Sequence, residues 1–287
     1  RGGSLAVLNT NNIIQDVISA SIEAQQEENE KEILHFDPLC LYFAEDYIVK
    51  DKDGKEILKI KQPTIGDFLK YGESNLYAVI LPFTSSRTSY RVQLWDMGID
   101  WNKVTDMWLF SFLTHFLNPE YSKFFFGDFD WQSFTPYEQK DDDGTTKQVL
   151  YSEKHDVLID DDIREKVCKY IQYMFNKFPP EPEFTNSKTL KKDLIAKDRQ
   201  AMLLSQKNSK PTGGSVLLPL VSFCLNHPGF KYKKSELKEM GIAEFMDSVK
   251  RLQAYESTHA LYSGMYGGFV DISKMKDKEQ LNFMRDL

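Results

Sequence analysis

Cysteine is scarce. Only Cys40, Cys168 and Cys224 occur in 287 residues, far apart and odd in number. That excludes a disulfide scaffold and fits reduced thiols in a cytosol-like compartment. The five histidines, His35, His115, His155, His227 and His259, form no His-x-x-x-His pair, and no Cys-x-x-Cys occurs. A zinc site therefore has no support in the sequence. No Gly-x-Ser-x-Gly elbow, kinase signature or Gly-x-Gly-x-x-Gly following a strand is present. No apolar run reaches about 18 residues, so no membrane span is expected. Basic excess is absent too. The net charge is −7, which disfavours nucleic acid as a partner. Arg1-Gly2-Gly3-Ser4 lacks the apolar core of a signal peptide and reads as an internal start or an added remnant. These absences point away from an enzyme, and no cofactor or metal is expected.

What is present is apolar and aromatic. Hydrophobic residues make up 41% of the chain and aromatics 13%, enough for a core rich in Phe and Tyr. Residues 11–34 have a helical pattern, with Ile14, Val17, Ile18 and Ile22 on one face and a polar second half. Such a helix either lies on its own domain's surface or acts as an arm that docks on a neighbour. Residues 41–49 and 57–61 alternate as strands around Asp53-Gly54, a hairpin turn signal. Pro63 ends the second strand, and Thr64 with Asp67 caps a short helix closed by Gly72. Residues 73–83 and 89–97 read as further helices. Thr105 caps another, apolar nearly all round and therefore expected in the core, with His115 as a core or boundary histidine.

Residues 123–158 are dense in aromatics and read as strands joined by an acidic turn at 140–144, expected to pack on the core, with a contact surface as the alternative. The Asp141-Asp142-Asp143 run lacks calcium-loop spacing. Asp160-Asp161-Asp162 is explained by capping and the helix dipole rather than by metal. The helix they open has its apolar residues at helical spacing from Ile163 to Phe178. Pro179-Pro180-Glu181-Pro182 then forms a stiff connector. Residues 187–206 read as a charged helix, either solvated or a docking face. Residues 208–215 fail as a phosphate loop, because Lys210 precedes the glycines. Residues 215–226 read as the most buried helix of the C-terminal part. A long helix follows from 242 to 263, closed by Gly264, Gly267 and Gly268, and 277–287 form a small terminal helix or fray.

The fold class expected is α+β, mainly α-helical: a helical bundle with one or two small antiparallel hairpins. The expected organisation is an N-terminal helical arm over 1–36, an α+β domain over 37–178 and a C-terminal helical region over 179–287, with the last two able to share one core.

The stretch QPTIGDFLKYGE at 62–73 resembles the opening motif of the tail assembly chaperones of phages of Gram-positive bacteria. QLWDMGID at 93–100, followed by Val104-Thr105-Asp106 and an apolar helix, resembles that family's next segment. FMDSVKR at 245–251, with Ser263-Gly264 and residues 269–271, resembles its C-terminal helix. Residues 123–158 and 187–214 match poorly, and the aromatic hairpin and N-terminal helix exceed the family's compact pattern. The resemblance implies a mostly helical, non-enzymatic protein without a cofactor. Its partners would be the tape-measure or tail-tube protein and further copies of itself, in the host cytoplasm. The alternative is a structural virion component such as a neck, tail or baseplate subunit, retained in the particle. A weaker third reading is an enzyme or regulator with a hidden site. The candidate partner-binding residues are Ile14, Val17, Ile18 and Ile22 on the arm, with Trp95 and Trp131.

Overall fold

Gln62-Pro63-Thr64 joins two kinds of structure, and the sequence shows why. Proline cannot donate to a ladder, so the strand before it stops there. Thr64 accepts from the Asp67 amide while the Asp67 carboxylate accepts from the Thr64 amide, a reciprocal capping box that starts a helix at once. The computed structural model describes residues 34–140, 146–208 and 214–285. Among these the elements run α1 (Pro38–Tyr42), β1 (Tyr47–Lys50), β2 (Glu56–Ile60), α2 (Ile65–Tyr71), α3 (Glu73–Ile80), α4 (Arg91–Asp96), α5 (Asp106–His115) and α6 (Pro119–Phe126). Then come β3 (Thr135–Lys140), β4 (Thr146–Ser152), β5 (Val157–Ile159), α7 (Asp161–Phe175), α8 (Lys188–Asn208), α9 (Leu217–Asn226) and α10 (Ile242–Tyr266). The fold is α+β and mainly helical, with two small antiparallel sheets.

β1 and β2 form a hairpin pairing Tyr47 with Ile60 and Val49 with Leu58. Gly54 supplies the positive φ of 81° that its turn requires. The second sheet has the order β3-β4-β5, with Pro136 opposite Leu150 and Leu150 opposite Ile159. Asp160 caps α7 by accepting from the Ile163 amide at 3.0 Å. Asn176, left-handed at φ 47°, ends it. One core cluster runs from Leu41 through Ile60, Phe83, Phe125 and Ile171 to Phe245 and Val249, and so crosses residue 179. Residues Phe36–Leu287 form one unit. Glu73, opening α3, also caps the N-terminus of α9: its carboxylate accepts from the Val216 amide at 2.6 Å and the Leu217 amide at 3.1 Å.

The helix expected at 11–34 and the turn expected at 140–144 lie, but for Leu34 and Lys140, outside the described residues. Several other expectations are corrected. Residues 41–49 do not form one strand: Leu41 closes α1 and only Tyr47–Lys50 pair. Phe124, Phe125 and Phe126 belong to helix α6, because Asn118 caps it and Pro119 suits its first turn. β3 is exposed throughout, so the hairpin does not bury as a whole. α7 stops at Phe175, and Phe178 is half exposed. α10 runs through Gly264 to Tyr266. α9, although almost wholly apolar, buries only Leu217 and Cys224 and leaves Val216 and Leu218 in solvent. Composition gives the chance of burial, whereas neighbouring elements decide it.

The Gln62 side chain is 3% exposed and spans a gap, donating to the Leu41 carbonyl at 2.8 Å and accepting from the Ala243 amide at 3.0 Å. Gln62→Leu would leave the Ala243 amide without its partner and take one of two donors from the Leu41 carbonyl, which keeps the Ala44 amide at 3.2 Å. The expected loss is about 2 kcal/mol, read as a fall in Tm of several degrees by calorimetry. An unchanged Tm would show that water replaces the amide.

Candidate functional site

α5 has two faces, and both are apolar. Met107, Leu109, Phe110 and Thr114 turn inward and are buried. Trp108, Phe112 and Phe116 turn the other way, four residues apart, and form a ladder along the outer face. The Trp108 and Phe112 rings stack with centroids 5.4 Å apart, and Phe116 meets Phe112 edge-on at 5.2 Å. Phe116 is 70% exposed. The expectation that this helix lies in the core nearly all round, with His115 as a core or boundary histidine, is corrected: Trp108 and Phe112 are half-buried, and His115 and Phe116 are exposed.

Facing the ladder are Gln132, Phe134, Thr135, Pro136, Gln148 and Leu150 from the β3-β4 hairpin and the turn before it. Between the two walls lies a groove of about 490 Å³. Its shape is held at both ends by side-chain amides. Gln148 on β4 accepts from the Thr105 hydroxyl, which in turn caps α5 by accepting from the Trp108 amide at 3.0 Å. Gln132 donates to the Leu117 carbonyl at 2.9 Å, just past the other end of the helix. No Asp, Glu, Lys or Arg lines the groove, in a chain where 28% of residues are charged. Such a surface suits apolar matter, with the Ser111 hydroxyl and the His115 imidazole as polar groups on its α5 wall. A larger cleft of about 680 Å³ lies beside Glu73, Phe175, Val216 and Met246.

Of the sequence candidates, Ile14, Val17, Ile18 and Ile22 lie outside the described residues. Trp131 is corrected as a contact residue. It is 2% exposed, packed among Phe83, Phe110, Phe126 and Phe129, and presents no surface to a partner. Trp95 is partly buried against Trp101, with ring centroids 6.1 Å apart. The residues that do form a surface, Trp108, Phe112 and Phe116, share an i, i+4, i+8 spacing visible in the sequence. That signal was hidden by the equally apolar inner face.

The strongest charge cluster is structural. The Arg91 guanidinium, nearly buried, makes two bonds to Asp198 at 2.8 and 2.9 Å and one to Glu183 at 2.7 Å. It also lies over the Trp101 ring at 5.7 Å from the centroid, as does the Lys191 ammonium at 5.6 Å. Burial works to raise the Asp100 carboxyl, but its bonds to Lys191 and the Asn102 amide outweigh this and hold it below its ordinary value. These contacts fasten the first half of α8 to α4. Beyond Arg199 every residue of α8 through Lys207 is exposed, including Met202, Leu203 and Leu204. Among the described residues no group of three or more His, Cys, Asp or Glu is placed to hold a metal ion. Nor is any helix among them long and apolar enough to cross a membrane.

Burial pushes the Cys168 thiol up to about 12 and the Cys224 thiol up to about 11. At pH 8 only about one Cys168 side chain in ten thousand is then a thiolate. A disulfide reagent such as DTNB should modify exposed Cys40 and spare buried Cys168 and Cys224 until the chain is unfolded. Rapid reaction of more than one thiol per chain would mean that α7 or α9 opens readily.

No protein-family model matches the chain, and it matches neither a curated protein nor a solved structure.

Proposed function

We propose that this chain is a non-enzymatic assembly chaperone for phage tails. It holds an apolar segment of the tape-measure or tail-tube protein while the tail is built in the host cytoplasm. The observation that carries this reading is the uncharged aromatic groove on α5. A chaperone of this kind must cover apolar surface on its client and later let go, which calls for contact area without chemistry. The segments at 62–73 and 93–100, which carry the resemblance to tail assembly chaperones, supply the capping box of α2 and most of α4. Both belong to the framework that supports α5 rather than to the groove itself.

The test is a pull-down of the tagged chain from infected cells, read by mass spectrometry beside an inventory of purified mature particles. Capture of the tape-measure or tube protein, with the chain absent from particles, is the expected result. Stoichiometric presence in mature particles would instead make it a structural virion subunit. Capture of no tail protein, together with absence from particles, would overturn the phage-tail reading.

A further inference from the structure

We infer that one face of α10, from Arg251 to Tyr262, is a binding site for a short peptide, and that the chain's own segment 277–285 keeps it occupied. This site is separate from the groove on α5 and from the assembly role. The partner it fits is a polypeptide segment carrying an aromatic side chain and, two residues later, an arginine.

The face is built to hold main chain. Arg251, Tyr255, Thr258 and Tyr262 recur at helical spacing and so share one side of α10. Three of them donate to backbone carbonyls of the segment. The Arg251 guanidinium reaches the Arg285 carbonyl at 2.7 Å, the Thr258 hydroxyl that of Gln280 at 2.8 Å, and the Tyr262 hydroxyl that of Leu281 at 3.1 Å. Bonds to carbonyls favour any peptide that takes this path, whatever its sequence.

Selectivity comes from two side chains of the occupant. The Phe283 ring lies against both Tyr255 and Tyr262, with centroids 5.6 and 5.8 Å away. The Arg285 guanidinium donates to the Thr258 hydroxyl at 2.8 Å and to the Ser257 hydroxyl at 3.4 Å. Thr258 is wholly buried, and its hydroxyl gives one bond to the segment and receives another from it.

The occupant is lightly held. None of residues 277–285 is buried; Leu281 and Arg285 are half-buried and the others exposed. A segment that buries so little opens at a low free-energy cost. Its tether is slack as well. Residues 267–279 span about 12 Å of helix between Tyr266 and Thr258, yet extended they would reach about 40 Å. Gly268, at φ 75°, begins the turn back along the helix. Such a tether sets a local concentration on the order of millimolar. An outside peptide therefore wins when it binds better than the tethered segment, or when that segment is weakened.

The probe is the fluorescein-labelled peptide DKEQLNFMR, the sequence of residues 277–285. It is titrated, with anisotropy as the readout, against the full chain carrying both Phe283→Ala and Arg285→Ala. Saturable binding is expected, about tenfold or more tighter than to the wild-type chain, whose own segment competes. A peptide with alanine in place of its phenylalanine and arginine should bind about tenfold or more weaker. Adding Tyr262→Phe to the chain removes one donor and should weaken the probe about fivefold. The double variant should still melt cooperatively. In the wild-type chain, amides of 277–285 should exchange with deuterium about tenfold or more faster than those of 242–254. No saturable binding to the double variant, equally tight binding to the wild type, equal binding of the alanine peptide or indifference to Tyr262→Phe would each overturn the inference. So would exchange in 277–285 as slow as in 242–254. Loss of the melting transition in the double variant would overturn it too, because the segment would then belong to the core.

Discussion

The fold depends on one buried amide. Gln62 sits where β2 hands over to α2, and its side chain reaches both α1 and α10. The backbone around it is equally committed. The Lys61 amide donates to the Phe125 carbonyl at 2.8 Å, the Ile65 amide to Met240 at 3.0 Å, and the Ile242 amide to the Pro63 carbonyl at 2.9 Å. Gly241 must pass so close that a Cβ there would meet the Gln62 oxygen at 2.5 Å and the Ala44 side chain at 2.9 Å. Five consecutive residues thus tie one hairpin, two short helices and the longest helix into a single junction. In a buried setting each of those bonds is held by the cost of breaking it rather than by its strength in water.

The sequence showed the local chemistry of strand ends, turns and caps, not the long-range bonds of this junction. Pro63, the Thr64–Asp67 box, Thr105, Asp160 and the Asp53-Gly54 turn each act within a few residues, and each does what its type implies. What escaped was everything set by distant neighbours. α5 and α9 are both apolar on more than one face, so periodicity alone could not say which face is covered. For α9 the uncovered face holds Val216 and Leu218; for α5 it is the aromatic ladder. Trp131 erred in the opposite direction, because in an aromatic stretch that could be core or contact surface it met five surrounding rings. The groove itself is assembled from residues 105–116 and 132–150, and no linear pattern joins its two walls.

Charge divides the surface as well. Around Trp101 the cations and carboxylates are paired and fasten α8 to the body, whereas the groove on α5 holds none. Fastening by paired charges leaves apolar area unspent. That is consistent with a molecule whose exposed aromatics serve contact with another polypeptide, and whose ion pairs serve its own architecture.

The junction at Gln62 also bears on synthesis. Its partners at Met240, Ile242 and Ala243 emerge from the ribosome some 180 residues later, since the Gln62–Ala243 bond alone spans 181 positions. At translation speeds of about 5–20 residues per second that delay is about ten to forty seconds. During it, α1, α2 and the hairpin cannot close their shared core, and their apolar faces stay open to the crowded interior of the cell. Under the proposed role, a protein that covers apolar surface for others passes through a period of needing cover itself.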